Sequence, residues 1–179
     1  NPKDSDYAVS FRYAKPQDKS PAKAMQLSIE NTQLSNSDTF INFATQTDET
    51  VGSISGQHAT VLGIAQSGVK LESAGADYAE YLEKKDHSEL ITAADVVGVF
   101  NGKISKTTHG ADRVMVVSTM PLVIGNKQSV SQAKNSAAVA FVGQVPVRVL
   151  GTVNVGDYVI ASSNQDGTAI GVNPAQITA

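Results

Sequence analysis

The chain has 179 residues, of which 41% are apolar, 17% are charged and none is cysteine, and its formal charge is −3. This is enough apolar material for one domain, or one domain with a short extension, and it excludes disulfides, thiolate zinc sites and cysteine nucleophiles. Lysine and arginine are scattered rather than clustered, which argues against a nucleic-acid partner or an anionic lipid surface, and no apolar run is long enough for membrane insertion as a helix.

The chain opens at Asn1 with neither an initiator methionine nor a signal peptide, and reads as a fragment or a processed product. Residues 7–13 fit a strand, and the polar, twice-proline stretch 16–23 fits a loop. Strict alternation of Met25, Leu27 and Ile29 predicts a strand over 25–30. The same period sets Phe40, Asn42 and Ala44 against Ile41 and Phe43 in "TFINFAT", 39–45. In "ETVGSISGQ" that follows, Val51, Ser53 and Ser55 share a face that Gly56 interrupts. Residues 57–74 are weakly patterned, and Val61, Leu62 and Ile64 suit the start of either a short helix or a strand.

The pattern sharpens further on. Asn101-Gly102 between two apolar runs is a hairpin signal, because both residues tolerate positive φ. "DRVMVVSTMPLVIGN" predicts a strand pair around Pro121. "AAVAFVGQVPVRVLG" predicts another, bent at Gly143 and Pro146. "DYVIASSNQDGTAIGV" predicts a hairpin with its tip at Asp166-Gly167. The one modest helical candidate is "SVSQAKNSAAVA", 129–140. A short echo links "ITAADVVGV" at 91–99 to "VNVGDYVIA" at 153–161. Each predicts a tight turn whose Asp caps backbone N–H groups before a strand.

Chemistry concentrates in "SAGADYAEYLEKKD", 73–86. As a strand, this segment puts Asp77, Tyr81 and Glu83 on one face with Ala79, and Tyr78 and Glu80 on the other with Leu82. As a helix, Glu80 and Glu83 share a face with Asp77. The plainer reading of Glu83, Lys84, Lys85 and Asp86 is a solvated turn. His58, His87 and His109 stand far apart without a second ligand at metal spacing, so exposed imidazoles are expected and no metal. "SSNQDGT" at 162–168 has the composition of a calcium loop and equally that of a hairpin tip. Neither a nucleophile-elbow G-x-S-x-G nor a phosphate-binding glycine loop is present, and no cofactor is expected.

"GADYAEYLEKKD", then "VVGVFNGKISKTTHGADRVMVVSTMPLVIGN", then "GQVPVRVLGTVNVGDYV" together resemble the C-terminal domain of phage neck-appendage and tail-fibre proteins of the peptidase G2 type, the autoproteolytic intramolecular chaperones. The likeness covers 73 to about 173. More loosely, "FINFATQTDETVGSISG" is similar to strand repeats that precede chaperone domains in viral fibres. The resemblance implies an all-β fold: a barrel-like or β-clip-like domain over 73–179, preceded by a β-rich extension over 1–72. It implies a homotrimer on an extracellular or virion surface that helps chains assemble, with neighbouring structural proteins or surface glycans as further partners. Self-cleavage, where it occurs in that family, would map near Ser73, with Asp77 and Glu80 as acidic candidates. Tyr78 and Tyr81 are the candidates for a glycan-binding tip.

Overall fold

The computed structural model describes residues 27–29, 34–35 and 38–177, which fall into two compact units, one ending at Glu72 and the other running from Ser73. The expected strand over 7–13 and the loop over 16–23 lie outside the described residues. Of the strand expected over 25–30, only 27–29 are described, and they are not strand.

The first unit is a three-stranded sheet of β1 (Thr39–Ala44), β2 (Thr50–Val61) and β3 (Ile64–Ser73), in the order β1-β2-β3. β1 pairs antiparallel with β2, setting Ile41 opposite Ile54 and Phe43 opposite Gly52. The segment that suited helix or strand is strand. Leu62 and Gly63, at φ 51° and 77°, form the two-residue turn whose twist matches a hairpin.

The second unit is built on a closed five-stranded β-barrel. Its strands are β4 (Asp77–Lys84), β5 (Val96–Phe100), β6 (Lys103–Ser105), β7 (Arg113–Val117) and β9 (Ser136–Gly143). β5 and β6 form the Asn101-Gly102 hairpin, with φ of 47° and 81° at its tip. Antiparallel pairing then runs β5–β7, β7–β9 and β9–β4. A short parallel contact, Glu83 with Lys103 and Lys84 with Ile104, closes the ring. The other half of that β4 edge takes β8 (Val123–Gly125), also parallel. Val97, Val99, Ile104, Val117 and Val139 fill the interior, with Ile91 beside them and Leu82 and Met115 packed against the cluster. Fully burying side chains of this size stabilises by about 1.5–3 kcal/mol each.

Three sequence expectations need correction. The two strands around Pro121 are both present as β7 and β8, but they do not pair. The chain leaves β7 and crosses to the far edge of β4. Likewise β9 does not pair with β10 (Val149–Leu150), which runs parallel to β12 (Ala169–Val172). The helical candidate contracts to one turn, α1 (Val130–Ala133), because the small apolar residues after it are drawn into β9 against β4 and β7.

The C-terminal hairpin of β11 (Tyr158–Ala161) and β12 forms as predicted, and with β10 it makes a three-stranded sheet. Its tip is docked rather than free, with the Val96 N–H donating to the Gly167 carbonyl at 2.7 Å, and the segment before β10 is held too, the Arg148 N–H donating to the Ala94 carbonyl at 3.0 Å. A 3₁₀ turn, Pro174–Gln176, follows.

Candidate functional site

Both halves of the sequence echo fold into the same turn. At 92–95 the Asp95 N–H donates to the Thr92 carbonyl at 3.2 Å, while the Thr92 N–H donates to Asp95 Oδ2 at 2.8 Å. At 154–157 the Asp157 N–H donates to the Asn154 carbonyl at 3.1 Å, and the Asn154 N–H to Asp157 Oδ2 at 2.8 Å. The third residue of each is left-handed, Ala94 at φ 69° and Gly156 at φ 95°. Before β1, the Ser35 N–H likewise donates to Asp38 Oδ2 at 2.8 Å.

Burial separates two of these turns. Asp95 is 0% exposed. Its Oδ1 lies 2.6 Å from Arg148 Nη1, a charge contact outside hydrogen-bond geometry, and its Oδ2 lies 3.3 Å from Lys106 Nζ. Thr92 Oγ1 donates to Oδ2 at 3.1 Å and accepts from Arg148 Nη2 at 3.1 Å. This hub ties the barrel to the C-terminal sheet, and its chemistry is structural. The signal for it in the sequence was an arginine inside the apolar run "VPVRVLG".

The segment 77–84 is β4, a strand, and this fixes the fate of the acidic cluster. Asp77 shares a face with buried Ala79, whereas Tyr78 and Glu80 share the other face with Leu82, which packs against the core. The strand therefore does not bring Asp77 and Glu80 together, nor Tyr78 and Tyr81. Tyr78 donates its hydroxyl to Glu80 Oε1 at 3.2 Å, and that bond raises the phenol above its ordinary pKa. Tyr81 lines a polar cleft of about 330 Å³ with Asn126, Gln132 and Asn135. Ser73, the last residue of β3, accepts the Gly75 N–H at 3.2 Å.

The expected solvated turn after Tyr81 starts later than predicted. Glu83 and Lys84 complete the strand, and Lys84 is buried. Glu83 sits 2.9 Å from Lys103 Nζ and 2.8 Å from His87 Nε2, and the Lys103 bond, then His87, lowers its pKa. His87 and His109 are exposed, and His58 Nδ1 lies 3.5 Å from Ser67 Oγ. Among the described residues no group of three or more His, Cys, Asp or Glu side chains is placed to hold a metal ion. In the 162–168 loop the acid is occupied locally: Asp166 Oδ1 accepts from Thr168 Oγ1 at 2.5 Å, which lowers its pKa.

Asp77 is the outlier. It is 4% exposed, and among the described residues its carboxylate makes no hydrogen bond or ion pair; Oδ2 is wholly enclosed. Two glycines make this burial possible. A Cβ on Gly75 would press within 2.6 Å of the Met120 carbonyl, and one on Gly143, at φ 118°, would come within 2.6 Å of Asp77 Cα. The crossing segment 120–122 is thus laid directly over the start of β4, and the Leu122 N–H donates to the Asp77 carbonyl at 2.8 Å.

The sheet of the first unit is segregated in an unusual sense. Ser53 and Ser55 are buried, with their hydroxyls 2.8 Å apart, and Ser53 donates to Glu72 Oε2 at 3.1 Å. Lys70 Nζ, 2.7 Å from Glu72 Oε1, and then the two serines pull the Glu72 pKa down to about 2. The opposite face, by strand alternation, carries Ile41, Phe43, Ile54, Val69 and Leu71. Phe43 is 49% exposed and Val69 60%.

Comparison of the chain with protein-family models, curated proteins and solved structures finds no match.

Proposed function

We propose that this chain is an assembly module of a fibre-like protein on an extracellular or virion surface, in which identical chains bury the apolar face of the first unit's sheet against one another. The resemblance to phage appendage domains makes the number three. The observation that carries the reading is the group of exposed apolar side chains on one face of this sheet. Ser53 and Ser55 are buried on one face, while on the other Phe43, Val69 and Leu71 are exposed beside the half-buried Ile41 and Ile54. A contiguous exposed row of this kind marks an interaction surface. No described strand pairs with the outer edge of β1 or β3, and both edges are templates for another chain. Packing against copies of itself satisfies backbone and side chains together.

Self-cleavage beside Ser73 has less support. β4 turns Asp77 and Glu80 to opposite faces, so no acid–base pair forms there.

Light scattering on the full chain tests the assembly reading. The expected mass is three times 18.7 kDa, about 56 kDa. The variant Phe43→Ser with Val69→Ser is expected to lower that mass while leaving the barrel's circular dichroism intact. A wild-type chain of 18.7 kDa at every concentration overturns the proposal.

A further inference from the structure

Asp77 lines a cleft of about 370 Å³ whose walls include Met120, Val145 and Pro146, with Thr119 and Gln144 beside them. A buried carboxylate without a hydrogen-bond donor is costly, so its persistence calls for a partner. A hard divalent cation is a poor candidate, because Asp77 is the only acidic residue among the described residues that line the cleft and such ions need several oxygen ligands. A group that carries its own donors on an aliphatic stem fits better. The apolar walls cover the stem, the carboxylate meets the charge, and the Thr119 hydroxyl and Gln144 amide accept the remaining N–H groups.

We infer that this cleft is a socket for a lysine or arginine side chain of a second copy of the chain. The inference rests on the assembly reading above and adds a polar contact to it. The same unit supplies candidate cations. Arg113, Lys127 and Lys134 are exposed and make no ion pair among the described residues, unlike Lys70, Lys103, Lys106 and Arg148.

The test compares full-length wild type with Asp77→Asn in a dilution series followed by light scattering, alongside urea unfolding of the dissociated chain. The near-isosteric amide removes a buried, unpaired charge. The isolated chain is therefore expected to be no less stable, while the dissociation constant of the assembly rises by at least about tenfold. The triple variant Arg113→Gln, Lys127→Gln, Lys134→Gln, altered only on the surface, is expected to weaken assembly to a similar degree and serves if Asp77→Asn fails to fold. Free N-acetyl-lysine amide is expected to dissociate the wild-type assembly and not that of Asp77→Asn. An assembly unmoved by Asp77→Asn, or by the triple variant, overturns the socket and leaves the assembly reading standing. A wild-type chain that never associates removes both.

Discussion

The paired turns at 92–95 and 154–157 provide an internal control for the worth of the buried ionic hub. Replacing Asp157 with Ala removes a carboxylate that accepts from the Asn154 N–H at 2.8 Å and from its side-chain amide at 3.2 Å. Water can reach the groups left behind, so the cost is that of ordinary hydrogen bonds, about 0.5–1.5 kcal/mol. Replacing Asp95 removes the same turn bond and, in addition, the contacts to Arg148 and Lys106. Breaking a buried ion pair costs about 3–5 kcal/mol, and the lower end applies here because the Arg148 side chain is 46% exposed and can be rehydrated. Arg148→Met strands the charge in the other direction. It leaves a carboxylate with 0% exposure and Lys106 as its one remaining counter-charge, so it is expected to cost no less than Asp95→Ala. The double variant is expected to fall well short of the sum, since each single change already removes the pair. Urea unfolding at one fixed protein concentration reads all four variants. If Asp95→Ala and Asp157→Ala cost the same, the hub adds nothing to the turn and the argument is wrong.

The Glu72 carboxyl is expected to titrate at about 2 by NMR, against an ordinary value of 4.5, because Lys70 and the serine pair hold it ionised. A depressed folded pKa contributes stability that is complete above 4.5 and fades as pH falls toward 2, so acid should loosen the first unit through that window, and Lys70→Met should narrow it. Gly143→Ala combines a left-handed backbone, at about 1–2 kcal/mol, with overpacking, at about 1–3 kcal/mol. It is expected to destabilise the second unit by about 2–5 kcal/mol in urea. Gly110→Ala, at φ 72° with open space around it, should show only the backbone share.

Local chemistry was legible in the sequence, and long-range partnership was not. Asn101-Gly102 specifies its hairpin because positive φ at two successive residues is a property of those residues alone. For 77–83 the sequence left strand and helix open; once the segment is strand, its alternation alone separates Asp77 from Glu80. Pairing is different. β7 and β8 both follow from their valines and isoleucines, yet nothing near Pro121 says that the chain crosses from one edge of the barrel to another. The one-turn α1 shows the same limit, since β9 competes for the residues after it by offering two neighbours at once.

The acids make the point most sharply. Asp38, Asp95 and Asp157 accept an N–H from three residues upstream, and the local sequence is sufficient reason for each. Whether such an acid is then solvated or enclosed depends on what arrives from elsewhere. Arg148, immediately before β10, reaches Asp95 and makes it the anchor of a second sheet. Asp77 is enclosed because Gly75 and Gly143 admit the 120–122 crossing and the start of the Gln144–Pro146 segment, and these bring Met120, Gln144 and Val145 to the cleft but no cation. The acids of this stretch are thus dispersed by the pleat of one strand. What remains is Asp77, a buried carboxylate with no hydrogen-bond or ion-pair partner among the described residues, and a buried ionised group of this kind is costly unless it is paired.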